Sequence, residues 1–198
     1  MKKHRVFKIV LTGGPCGGKT TSIPFLKKKL KAMGFKVFVV PEVARYLKSS
    51  GAKFADMPAY DYQIFVINRM LYNENEVIHL TDYYDKNIVI LYDRALMDNA
   101  AYVPDSDFIK LFEAYNLTEK EALARYDAVF HLVTTANGAL EYYMADSNRL
   151  ETPEEACELD LATQKAWSNH PKHTIIDNST DFEGKLNRLL DGVLEIVK

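Results

Sequence analysis

Cysteine is nearly absent from the sequence: Cys16 and Cys157 are the only two in 198 residues. They form neither a disulfide framework nor a paired-cysteine metal motif, and a cytoplasmic setting is the expectation. Long apolar runs are missing too. The stretch after the basic start Met1-Lys2-Lys3-His4-Arg5 is short and enters a glycine-rich loop, so neither a secretory leader nor a membrane span is expected. Charge of one sign does not dominate. Lys and Arg number 25 against 27 Asp and Glu, a formal net charge of −2, which argues against a nucleic-acid partner. No internal repeat, low-complexity tract or Ser/Gly linker interrupts the chain. What is present, 47% hydrophobic and 26% charged residues, suffices for a full α/β core.

The organising stretch is Gly13-Gly14-Pro15-Cys16-Gly17-Gly18-Lys19-Thr20. It fits G-x-x-x-x-G-K-[ST], a phosphate-binding loop in which glycines allow tight turns and aim backbone N–H groups at an anion. Lys19 is read as reaching the β- and γ-phosphates, and the Thr20 hydroxyl as a Mg²⁺ ligand. Context supports the match. Val6 to Leu11 reads as a buried strand, and Thr20 to Met33 as a helix with Ile23, Leu26 and Leu30 on one face and lysines on the other.

Further strands are expected at about 36–41, 87–92, 127–133 and 173–177, with helical patterns between them. That alternation predicts a mainly parallel five-stranded sheet with helices on both faces, a three-layer P-loop NTPase sandwich. Ligands of such sheets gather at the carboxyl ends of strands. Glu42 and Arg45 follow the second strand, and Glu42 is read either as a general base toward a substrate hydroxyl or as a helix-start carboxylate. Asp93 ends the third strand in the manner of a magnesium-holding carboxylate, and Arg94 beside it is a candidate phosphoryl or substrate clamp.

Pro58 to Asp82 is expected to be a long helix, with Ile64, Phe65, Ile67, Leu71 and Ile78 inward. Ser106 or Asp107 is expected to cap a helix, as are Thr118 with Glu121 and Thr152 with Glu155. The polar stretch Asn137 to Pro153 is the expected lid, with Arg149 as its charge clamp. Residues 1–198 are thus taken as one domain with a lid embedded at about 137–153. Asn178, in the polar end of the fifth strand, is a candidate nucleobase contact.

These landmarks, with Asn148-Arg149-Leu150-Glu151-Thr152 and Trp167 to Pro171, resemble the AAA_28 family of P-loop proteins, which is kinase-like despite its label. Its members include the kinase domain of bacterial ribosylnicotinamide kinase/regulator proteins. The loop wording is similar to that of the nucleotide-binding domain of TRPL-translocation-defect proteins, which are described as binding GTP and phosphoinositide. The resemblance implies a nucleoside- or nucleotide-kinase-like fold with a lid. It assigns nucleotide phosphates to Gly14, Gly17, Gly18, Lys19 and Thr21, within a nucleotide-binding loop that also takes in Gly13, Pro15, Cys16 and Thr20, and Mg²⁺ to Thr20 and Asp93. It aligns Glu42 with a catalytic base and Arg149 with a lid arginine. No Asn-Lys-x-Asp stretch reads guanine, so ATP and GTP both stand.

Two functions are weighed. The first is a Mg²⁺-dependent phosphotransferase moving the γ-phosphoryl of ATP or GTP to a small-molecule acceptor. The second is a nucleotide-binding switch or slow NTPase working through a protein or phosphoinositide partner.

Overall fold

The computed structural model describes residues 4–143 and 151–198. In chain order the main elements are β1 (Val6–Thr12), α1 (Lys19–Ala32), β2 (Lys36–Val40), α2 (Val43–Ser49), α3 (Ala59–Thr81), β3 (Ile88–Asp93), α4 (Asp105–Ala114), α5 (Glu119–Ala124), β4 (Ala128–Leu132), α6 (Pro153–Ala166), β5 (His173–Ile176) and α7 (Phe182–Val197). A 3₁₀ helix, Leu96–Tyr102, joins β3 to α4. The five strands form one sheet in the order β2-β3-β1-β4-β5, and every pairing is parallel.

Parallel strands covered on both sides carry apolar side chains at nearly every position. All six residues of β3 and all five of β4 are buried. Alternation then sorts them between two cores. Ile9, Leu11, Val89, Leu91, Phe130 and Leu132 pack against α1 and α7 through Ile23, Leu26, Leu30, Leu189, Val193 and Val197. Val10, Ile88, Ile90, Tyr92 and Val129 face the other way. There they meet Val66, Ile67 and Met70 of α3, Leu111 and Phe112 of α4, Leu123 of α5, and Leu96 and Trp167.

Register fixes where the site lies. Leu11 pairs with Asp93, Thr12 with His131, and Val40 with Tyr92. The segments leaving β1, β2, β3 and β4 therefore emerge along one edge: the glycine loop, Pro41-Glu42, Asp93-Arg94, and Val133-Thr134. Parallel connections must cross over and return, which is why residues far apart in sequence meet here.

The expected strands form within a residue or so of their bounds, and the Thr118–Glu121 and Thr152–Glu155 capping boxes are both made. Two local expectations are corrected. α4 begins at Asp105 with Pro104 as its cap residue, so neither Ser106 nor Asp107 caps it. Asp105 and Asp107 lie in the first turn, whose dipole favours acids.

The buried stripe of α3 is also rotated from the expected one. It consists of Tyr62, Gln63, Val66, Ile67, Met70, Glu74, Val77 and Thr81, while Phe65 and Ile78 are exposed. Apolar residues surround most of this helix, so their spacing does not single out a face. Glu74 can be buried because Arg125 donates to it at 2.8 Å and the Tyr126 hydroxyl donates to its other oxygen.

Among the described residues, no helix is long and apolar enough to cross a membrane. The region expected to form the lid is described only in part. A 3₁₀ turn at Leu140–Tyr142 precedes residues 144–150, and Arg149 lies outside the described residues.

Candidate active site

The glycine loop leaves β1 with Gly13 at φ 129°, and Gly18 at φ 93° precedes the first residue of α1. A Cβ on Gly13 would run into the Leu132 carbonyl oxygen, so sterics as well as backbone angle demand glycine there. Cys16 sits in the left-handed region at φ 56°, and the Pro15 carbonyl accepts from the Thr134 hydroxyl at the end of β4.

Lys19 turns back over this loop. Its Nζ donates to the carbonyls of Gly13 at 2.7 Å and Gly14 at 2.9 Å, and the residue is only 9% exposed. Burial, reinforced by the Arg94 charge, lowers its pKa to about 8 against the opposing pull of Asp93, Glu42 and Asp98. Among the described residues the ammonium is held by two loop carbonyls and hydrogen-bonds no carboxylate, which leaves its charge to the loop.

Thr20 and Thr21 are exposed at the start of α1, and the Thr20 hydroxyl accepts from Arg45 Nη2 at 3.3 Å. Glu42 occupies the N-cap position of α2, yet its side chain makes no capping hydrogen bond. It reaches across to Arg94 Nε at 3.1 Å and to Arg45 Nη2 at 3.4 Å. Burial alone would raise its pKa, but Arg94, Lys19 and Arg45 outweigh that and leave it below the ordinary value. Glu42 is therefore an ionised acceptor at neutral pH, held between the side chains of Arg94 and Arg45 at the carboxyl ends of β2 and β3.

Arg94 is the hub. Its backbone is left-handed at φ 65°, a conformation that costs a bulky residue on the order of 1 kcal/mol. Its N–H donates to Leu11 O at 3.0 Å, tying β3 to the end of β1. The guanidinium is buried between Glu42 and Asp98, donating to Asp98 Oδ1 at 3.2 Å. Asp98, 1% exposed, also accepts from the Thr12 hydroxyl, from Ala95 N at 2.9 Å and from Trp167 Nε1 at 3.2 Å. One carboxylate thus orients the arginine, the strand that launches the loop, and the end of α6.

Asp93 lies beside these groups, and its Oδ1 is buried without a hydrogen-bond partner among the described residues. Burial and the nearby Glu42 push its pKa up, countered by Lys19, Arg94 and Arg45. An orphaned carboxylate oxygen of this kind is uncommon unless something binds there. Together with the exposed Thr20 hydroxyl it is an all-oxygen donor set that fits Mg²⁺. That ion usually takes one or two protein ligands and completes its shell with phosphate oxygens and water. Among the described residues no cluster of three or more His, Cys, Asp or Glu side chains could hold a metal.

Asn178 stands near the loop, but its amide is committed. Its Nδ2 donates to Thr134 O and Asn137 O at 2.8 and 2.7 Å, and its Oδ1 accepts from Lys185 Nζ at 2.7 Å. Phe182, whose ring packs over Gly18, is 43% exposed next to it.

The sequence reading brought together Lys19, Glu42, Asp93 and Arg94 but missed Asp98 and Asp160. Asp160 accepts from Gly14 N at 2.6 Å and from Thr134 N at 3.1 Å. Its signal was an acid on the small-residue stripe Ala156, Asp160, Thr163 of α6.

A strand, a glycine loop capped by its own lysine, a helix, and a neighbouring strand ending in Asp define a P-loop NTPase of nucleoside-kinase-like α/β architecture. The chain belongs to the AAA_28 family, whose model, described as an AAA domain, matches residues 8–185. Among solved structures it is similar to deoxyadenosine kinase from M. mycoides with bound dATP. The TM-score is 0.61 at 17% identity, over 95% of this chain and 100% of that one. At that identity the likeness speaks for the fold. No curated protein matches the chain.

Proposed function

We propose that the protein is a Mg²⁺-dependent phosphotransferase that moves the γ-phosphoryl group of ATP or GTP to a hydroxyl of a small nucleoside- or nucleotide-like acceptor. One observation carries this reading. Glu42, ionised and not engaged as a helix cap, and Asp93, whose Oδ1 has no hydrogen-bond partner among the described residues, flank the buried Arg94 beside the lysine-capped loop. Two carboxylates in unlike environments suit two tasks. Glu42, held ionised by arginines, would accept the proton of an acceptor hydroxyl, and Asp93, short of a partner, would hold the metal with Thr20.

The loop from Gly13 to Thr21 would cradle the phosphates, with Lys19 neutralising their charge. Arg94, fixed by Asp98, would meet charge developing on the transferred group. Mg²⁺ when bound would screen the phosphate oxygens. Residues 137–153, with Arg149, would serve as a lid within one domain. The solved neighbour is a deoxyadenosine kinase, and this favours nucleosides as the first acceptors to try.

The test is a screen of nucleosides, nucleotides and ribosylnicotinamide with Mg·ATP or Mg·GTP, reading ADP or GDP release. Release that requires one acceptor, and that Glu42→Gln slows, supports the reading. Release at one rate whatever is added would favour a slow NTPase acting through a partner.

A further inference from the structure

Asp160 of α6 bonds the phosphate loop through one carboxylate oxygen. Asp160 Oδ1 accepts from Gly14 N at 2.6 Å and from Thr134 N at 3.1 Å, and it lies 3.1 Å from His131 Nε2. The residue is 3% exposed. Contact between helix and loop is close enough to dictate the loop's sequence. A Cβ on Gly14 would lie 2.7 Å from Asp160 Oδ1 and 3.1 Å from the Ala156 carbonyl oxygen.

A carboxylate is an odd choice beside a site meant for polyphosphate, since its charge repels the ligand. Its merit is as an acceptor: hydrogen bonds to an ionised oxygen are roughly twice as strong as neutral ones. Here one such oxygen ties the second residue of the loop to the second residue after β4 and to α6. The next residue, Pro15, has no N–H, and its carbonyl is held by the Thr134 hydroxyl. The entry half of the loop is thus bonded to protein.

We infer that Asp160 is a positioning residue for the phosphate loop: it locks the Gly14 amide to α6 and β4 so that the loop beyond Pro15 keeps its anion-binding curvature. The nucleotide arm of the test rests on the proposed function, whereas the exchange arm does not.

Hydrogen exchange of the nucleotide-free protein is measured across residues 12–18 in wild type, Asp160→Ala, Asp160→Asn and Thr163→Ala. Thr163 is buried on the same helix stripe, and its hydroxyl bonds only within the helix, to Leu159 O at 2.8 Å. Asp160→Ala should speed loop exchange about ten-fold or more, Asp160→Asn, which keeps an acceptor, less than about three-fold, and Thr163→Ala not at all.

In parallel, affinity for Mg·ATP and Mg·GTP should fall about ten-fold in Asp160→Ala and recover to within about three-fold of wild type in Asp160→Asn. Unchanged loop exchange in Asp160→Ala, or equal loosening by Thr163→Ala, overturns the inference. Should Asp160→Ala not fold, Asp160→Asn decides: a ten-fold rise in loop exchange would refute the acceptor role. Wild type that binds neither nucleotide would defeat the functional reading and leave the exchange result to judge Asp160.

Discussion

Raising the pH from 7 to 9 should weaken nucleotide binding by about ten-fold through one residue. In the nucleotide-free protein, burial and the Arg94 charge hold the Lys19 pKa at about 8, where an exposed lysine would stay charged well beyond pH 9. A polyphosphate tail brings several negative charges to the ammonium and drives that pKa back up, so binding takes up a proton. The observed association constant then scales with the protonated fraction of free protein. That fraction is about 0.9 at pH 7, about 0.5 at pH 8 and about 0.1 at pH 9, and the loss of roughly 1.3 kcal/mol follows from one pKa unit being worth 1.36 kcal/mol.

Phosphate ionises near pH 6, so its own titration adds little above pH 8. Calorimetry in two buffers of different ionisation enthalpy would report about half a proton taken up per nucleotide at pH 8 and nearly one at pH 9. Affinity that stays flat over this range, with no proton uptake, would refute the electrostatic account of Lys19. The same shift affects folding of the nucleotide-free protein with the opposite sense. Because the folded pKa lies below the unfolded one, the group penalises folding below pH 8, and that penalty of up to about 3 kcal/mol is relieved as pH rises from 8 toward 10.5.

Other outcomes follow from the same geometry. Glu42→Gln should lower kcat by at least about 100-fold while nucleotide affinity stays within about three-fold; equal kcat would remove Glu42 from proton transfer. Since Glu42 titrates below its ordinary range, no activity between pH 5 and 8 should be lost through it, which a pH–rate profile checks. Asp93→Asn should raise the Mg²⁺ concentration for half-maximal activity about ten-fold, measured by metal titration of turnover. Gly13→Ala, which drives a Cβ into the Leu132 carbonyl at φ 129°, should destabilise the fold by at least about 3 kcal/mol in urea melts. His173 has its pKa lowered to about 4 by burial and by the charges of His131 and His170, so stability should drop as pH falls from 6.5 toward 4. After discounting for its partial exposure the loss is about 1.5 kcal/mol, and His173→Phe should flatten that acid limb.

What the sequence revealed depended on how far apart the cooperating residues lie. The loop is contiguous, and its strand and helix flank it, so composition and periodicity suffice to find it. Glu42 and Asp93 were legible because each follows an apolar strand, and parallel strands of matched register end along one edge. Asp98 and Asp160 were not, because their meaning is tertiary. Trp167 bonds Asp98 across 69 residues, and Gly14 bonds Asp160 across 146. The choice of face on α3 failed for a related reason: Gln63 and Glu74 point inward, and Glu74 is satisfied by Arg125 and Tyr126 from beyond β3. For Asn178, read as a nucleobase contact, the hydrogen bonds to Thr134, Asn137 and Lys185 are made from other elements, which spacing does not reveal.

Transfer of a phosphoryl group from a loop-bound nucleotide to a hydroxyl is what separates a kinase from a slow NTPase. Incubating the wild-type protein with Mg²⁺, ATP or GTP labelled at the γ-position, and a panel of nucleosides tests it most directly. Label is expected on a nucleoside monophosphate, and is expected to be lost in Lys19→Ala. Label found only as free phosphate, at a rate indifferent to the nucleosides added, would contradict it.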